Sequence, residues 1–198
     1  VVLADVWGNP GGGVPGDNTV LLKALLASGV ENAAMATIWD PMAVRICRAA
    51  GAGARIGLRF GGKSCAGIGD PLDAEVLVRT VHDEATQTFA EATVSLGPSA
   101  VIQVDGVEVI LSTRRVQVFD PSIFTNLGIP ATERDLLAVK STNHFYRGFA
   151  AISEDILYVA CPGVYPSDYH TTDYRKLRRP LWPLDDIAWE DVEGHQSF

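Results

Sequence analysis

The sequence predicts an α/β fold: a mostly parallel sheet of βαβ units with helices on its faces, carrying an antiparallel β-hairpin insertion or extension in the middle. Three observations carry this. Over the first sixty residues, apolar strand-like runs alternate with helix-length segments, the pattern of right-handed βαβ units. Between about residues 61 and 115 the helices vanish, and alternating runs flank the pair Asp105-Gly106, a strong hairpin signal. Beyond that, short apolar strands return, separated by helix-length segments.

Taken in order, Val1 to Val6 reads as a buried strand running into a glycine- and proline-rich loop, Trp7 to Thr19. Val20 to Ser28 reads as an amphipathic helix stopped by Gly29, with Asp17 or Asn18 as its N-cap. Asn32 to Ile38 is a second apolar strand. Asp40-Pro41 then sets a capping carboxylate before a proline at the first helical position, predicting a helix to about Ala50 with Gly51 as its stop. Arg55 to Phe60 alternates, with Ile56, Leu58 and Phe60 on one face.

Gly61 to Pro71 is a glycine-rich loop, followed by strand-like runs at Glu75–His82, Thr86–Val94 and Val101–Leu111. Val116–Phe119 reads as a strand entering a second Asp-Pro start, Asp120-Pro121, of a short helix ending near Gly128. Leu136–Val139 is a strand, Asn143–Ala151 a helix, and Ile156–Ala160 a strand. One domain is expected over 1–185, and the acidic, aperiodic residues 186–198 read as a surface tail. The chain opens on Val1, directly on an apolar strand, so a piece of a longer polypeptide is expected.

Bulk properties narrow the function. With 198 residues, 47% of them hydrophobic and 20% charged, the composition is that of a globular protein with a sizeable core. A net charge of −8 argues against nucleic acid or an anionic membrane surface as the main partner. No run reaches the roughly 20 apolar residues of a membrane span. Cys47, Cys65 and Cys161 are odd in number and form no C-x-x-C pair, which suggests reduced thiols in the cytoplasm, with Cys47 filling the core.

Two segments could carry chemistry. In Asn9-Pro10-Gly11-Gly12-Gly13 the glycines permit close backbone approach, and the helix start beyond them is a natural seat for a carboxylate or oxyanion. The same loop also serves as a tight strand-to-helix connection. It matches neither G-x-G-x-x-G nor a P-loop. In Lys140-Ser141-Thr142-Asn143-His144 a strand ends in a polar cluster, where Lys140 and His144 could bind a carboxylate or supply a proton; alternatively Ser141, Thr142 or Asn143 caps a helix and His144 packs beneath. By the rule that ligands sit outside the carboxyl ends of parallel strands, both segments line one edge. Arg115 either reaches that edge or belongs to a solvated face.

The histidines, His82, His144, His170 and His195, show no metal-ligand spacing, and no G-x-S-x-G elbow is present. The basic run Tyr174 to Leu184 suits an acidic surface of the same fold or of a partner domain better than nucleic acid.

Five blocks in order resemble one family: Asp5–Leu22, Ile38-Trp39-Asp40-Pro41, Ser112–Pro121, Val139–Phe145 and Leu177–Asp185. Over residues 1–185 the chain resembles the C-terminal domain of the microcystinase C (MlrC) family. That resemblance implies a zinc-dependent peptidase acting on a peptide or small-molecule substrate, with the metal ligands in an N-terminal domain of the same protein and no cofactor held by this chain. It implies that this domain walls the cleft, for which Asn9, Gly11, Gly12, Gly13, Asp17, Arg115, Lys140, Asn143 and His144 are the candidates. A stand-alone anion- or carboxylate-binding module and a structural or homo-oligomer-forming domain are the alternatives.

Overall fold

In the computed structural model, which describes residues 1–66, 69–166 and 168–187, eight strands build one mixed sheet. They are β1 (Val2–Asp5), β2 (Ala33–Trp39), β3 (Arg55–Phe60), β4 (Leu72–Phe89), β5 (Ala92–Val104), β6 (Val107–Ser112), β7 (Leu136–Val139) and β8 (Ile156–Val159). Their order is β3-β4-β5-β6-β2-β7-β1-β8. From β6 to β8 every pairing is parallel; from β3 to β6 every pairing is antiparallel. The helices are α1 (Val20–Ala27), α2 (Pro41–Ala50), α3 (Ser122–Thr125) and α4 (Tyr146–Phe149).

The parallel strands are apolar on both faces because both faces are covered. Along β2, Ala33, Met35 and Ile38 join a core with Leu21, Leu22 and Leu25 of α1 and Val44 and Cys47 of α2. Ala34 and Ala36 point the other way, onto Ile123 and Phe124 of α3 and Phe149 of α4. β6 divides likewise, with Val107, Val109 and Leu111 against Ile110. The two-residue strand period therefore sorts one sequence into two cores.

Several expected elements differ in detail. β3 pairs antiparallel with β4, so the antiparallel half begins at Arg55. The runs Glu75–His82 and Thr86–Val94 are one long strand, β4, and its turn at Ala90-Glu91 interrupts the second run. Ala90 takes φ 53° there, a left-handed turn without the glycine or asparagine that would advertise it. Asp105, at φ 47°, makes the expected hairpin turn into β6.

Val116–Phe119 is no sheet strand. The buried Gln87 side chain holds it instead, donating from Nε2 to Gln117 O (2.8 Å) and accepting from Phe119 N (2.9 Å), while Val118 N donates to Lys140 O at 3.1 Å. The helix expected over Asn143–Ala151 is the single turn α4, with no side-chain cap; Gly148 inside it lies so near Asp120 that a Cβ would meet Oδ2 at 2.8 Å. At α1 it is Asn18 whose Oδ1 accepts from Val20 N (2.7 Å), and the Asp17 carboxylate turns elsewhere.

Residues 1–165 form one unit and Pro166 begins another. In the second, Asp168 caps the 3-10 turn Tyr169–Thr171 through His170 N at 2.9 Å. Asp185 there accepts from Arg179 Nε at 2.5 Å and from Leu181 N at 2.6 Å. Residues 188–198 of the expected acidic tail, His195 among them, lie outside the described residues.

Candidate functional site

Because β1, β2, β6, β7 and β8 run the same way, the loops that follow them emerge along one edge of the sheet. The segments after β1 and β7 are neighbours there. A further piece arrives from the antiparallel half. The first pairing of β5 with β6 is Ser99 with Ser112, the last residue of β6. Residues 92–98 and the end of β4 therefore project past the edge, and the tip of this arm sets Phe89 on Phe119, ring centroids 4.3 Å apart. Thr88 N bonds Ser122 Oγ (2.9 Å) and fastens the tip to α3.

Beneath the edge lies a buried charged layer. Lys140 is wholly enclosed, its Nζ donating to Gly16 O at 2.9 Å and Asn18 O at 2.8 Å. It thus ties down the loop after β1 from below. Burial drives its pKa from 10.5 to about 8, against the pull of Asp5 and Asp17. Burial also raises the Asp5 carboxyl, partly offset by Lys140, and pushes the Cys161 thiol up to about 12. Asp17 Oδ2 accepts from Lys63 N (2.8 Å), Ser64 N (2.9 Å) and Ser64 Oγ (2.9 Å), fixing the loop after β3. Asp40 caps α2 through Ala43 N (3.0 Å) and also holds Gly61 N and the Lys63 ammonium.

Above that layer is a rim of neutral and aromatic groups. Residues Pro10–Gly12 form a 3-10 turn whose amides are engaged internally: Gly11 N donates to Asn9 Oδ1 (2.9 Å), Gly12 N to Asn9 O (2.9 Å) and Gly13 N to Pro10 O (3.0 Å). The glycine loop therefore offers no open row of amides to an anion. A Cβ at Gly11 would stand 2.1 Å from Gln117 Oε1, whereas Gly12 has nothing within 4 Å. Asn9 Nδ2 reaches Thr142 Oγ1 (2.9 Å) and Gln117 Oε1 (3.3 Å), and Gln117 Nε2 lies 2.7 Å from His144 Nδ1.

The exposed His144 ring stands edge-on to Phe89 at 5.4 Å. It lines two adjoining depressions: one of about 550 Å³ bounded by Phe89, Glu91, Asp120 and Arg147, and one of about 450 Å³ bounded by Pro10, Gly11, Arg115 and Gln117. Arg115 lies over the Trp39 ring, 3.9 Å from its centroid.

The nine candidates thus separate into two levels. Gly11, Gly12, Gly13, Arg115, Asn143 and His144 are exposed on the rim, whereas Asn9, Asp17 and Lys140 are buried below it. Lys140 faces protein carbonyls rather than the open edge, and His144 faces outward rather than packing beneath a helix. Sequence reasoning missed Gln117, Gln87, Phe89 and Phe119. Gln117 carried a faint signal, an amide interrupting Val116 and Val118; Phe89, at the tip of the arm and far from it in sequence, carried none.

The residues here do not fit a metal centre. Among the described residues no group of three or more His, Cys, Asp or Glu is arranged so that it could hold a metal ion. Asp17 and Asp40 already accept from amides and a lysine, and Asp5 faces the Lys140 ammonium.

The family model described as the MlrC C-terminus matches residues 3–176. Microcystinase C from Sphingomonas sp is 33% identical over 187 residues, covering 94% of this chain and 36% of the relative. A crystal structure of a proposed metallopeptidase from Mesorhizobium sp. BNC1 superposes with a TM-score of 0.79 at 27% identity, over 96% of this chain and 39% of that one. The chain therefore spans little more than a third of either relative's length.

Proposed function

The chain belongs to the MlrC C-terminus family, and from that premise we propose that it is one part of a zinc-dependent peptidase, walling the substrate cleft while the metal is held by an N-terminal domain of the same protein. The family match carries this reading, and the likeness to a proposed metallopeptidase supports it. So does the architecture: the loops after the parallel strands, the arm and two depressions meet at the edge where α/β folds bind ligands.

In this reading the rim meets the substrate. Arg115, Asn143, His144 and the turn Gly11–Gly13 border the peptide, and Asn9, Asp17 and Lys140 hold that border in shape from below. No chemical step passes through a metal on these residues. A metal held by the N-terminal domain would polarise a peptide carbonyl and activate water. The reduced cysteines suit a cytoplasmic enzyme.

The full-length protein tests the proposal. It is expected to hydrolyse linear peptides, to lose that activity to a chelator and to regain it with zinc. Hydrolysis that persists after complete metal removal, or no hydrolysis across a broad linear-peptide panel, contradicts it.

A further inference from the structure

We propose that His144 faces the cleft as a fixed N–H donor for a carbonyl or oxyanion of the bound peptide, locked in its Nε2-protonated tautomer by a one-way hydrogen-bond chain that starts at the Gly11 amide. This rests on the peptidase reading above.

Which end of an asparagine or glutamine amide is oxygen, and which histidine nitrogen carries the proton, follow only from the surrounding hydrogen bonds. Here the chain of assignments starts from a backbone N–H, which can only donate. Gly11 N donates to Asn9 Oδ1 at 2.9 Å. The other end of that amide is therefore NH₂, and it donates to Thr142 Oγ1 at 2.9 Å and Gln117 Oε1 at 3.3 Å. With its oxygen accepting, Gln117 presents its own NH₂ to His144 Nδ1 at 2.7 Å. Nδ1 must then offer a lone pair, and the neutral ring keeps its proton on Nε2.

Nε2 has no hydrogen-bond partner among the described residues. Its ring is steadied by Phe89 and Phe119, and the segment carrying Gln117 is clamped by the buried Gln87. The donor is thus built before any ligand arrives. Donors fixed in advance stabilise charge that develops on a carbonyl oxygen, because nothing must reorient as the charge forms. His144 keeps its proton throughout; it supplies a hydrogen bond, not a base. Gln117 and Asn9 are positioning residues.

Gln117→Glu tests this with little change of shape. A carboxylate accepts from Asn9 as before but also accepts from His144, so in the neutral ring the proton moves to Nδ1 and Nε2 becomes an acceptor. In the full-length protein with ¹⁵N-labelled histidine, observed where the ring is neutral, the wild type is expected to show the Nε2–H tautomer and Gln117→Glu the Nδ1–H tautomer. At a pH where the ring is neutral, peptide kcat should fall about 10²-fold in Gln117→Glu and in His144→Ala, with KM nearly constant. His144→Gln, an exposed substitution that retains an N–H donor, should recover part of the loss.

Nδ1–H in the wild type overturns the donor assignment whatever the substrate. Unchanged kcat in His144→Ala overturns its use in a peptidase that still works. Absence of peptidase activity in the wild type instead refutes the functional reading, while the spectra still decide the tautomer.

Discussion

Two levels of the same edge use polar residues in opposite ways. In the lower level, Asp5, Asp17, Lys140 and Cys161 are charged or chargeable yet enclosed, and their bonds go to the protein itself. From the buried Asn9 a neutral relay climbs through Gln117 to His144 in the upper level and ends at the surface. Formal charge would nominate Lys140 as the functional group, but position nominates His144. Where a side chain's bonds already end in backbone carbonyls, its charge is structural mortar.

The largest effect expected from breaking the lower level comes from Lys140→Met. It leaves Gly16 O and Asn18 O without their donor and Asp5 without its counter-charge. Removing one partner of a buried charged set costs about 3–5 kcal/mol, measurable as a lower midpoint in urea unfolding.

Next is the joint between the levels. Gly11→Ala drives a Cβ into Gln117 Oε1 and should cost about 1–3 kcal/mol as an overpacking change, with Gln117 displaced from His144. Gly12→Ala, with open space around it, should stay within about 0.5 kcal/mol of wild type. Equal losses at the two glycines would break the distinction.

A pH titration of stability sharpens it further. Lys140 titrates near 8 when folded and 10.5 when unfolded, so above pH 8 the unfolded chain binds more protons at this site. Stability from this group therefore rises with pH, by up to about 1 kcal/mol between pH 8 and 9. The raised thiols of Cys47 and Cys161 act with the opposite sign over the same window, since the unfolded thiols ionise first from a value of 9.0, and they offset much of that rise. In denaturant unfolding the stability gap between wild type and Lys140→Met should widen by up to about 1 kcal/mol from pH 8 to pH 9, the thiols being common to both. A small loss is expected from Arg115→Ala, which removes an exposed cation–π contact with Trp39 worth about 0.5–1 kcal/mol.

Much of this was legible from the residues alone, and the exceptions have physical causes. The alternating strands and helices, the Asp105-Gly106 hairpin and the Asp40 cap are local signals, and each is present in the structure. Asp120-Pro121 looks the same on paper as Asp40-Pro41, yet it opens only the four-residue α3, because apolar content and packing rather than a cap sustain a helix. Val116–Phe119 reads as a strand because it is extended and apolar; that its partner is the side chain of Gln87 is a tertiary fact with no local trace. The level at which each site candidate sits was equally hidden, since burial of Lys140 depends on the Gly16–Asn18 loop folding over it. The family blocks, by contrast, were readable without coordinates.

The most direct test of the account is to locate the metal in crystals of the full-length protein by anomalous scattering, with a peptide analogue bound. The account predicts a metal whose ligands all come from the N-terminal domain, facing this edge, with His144 Nε2 within hydrogen-bond distance of an analogue oxygen. A metal ligated by three or more side chains of residues 1–187 would contradict it.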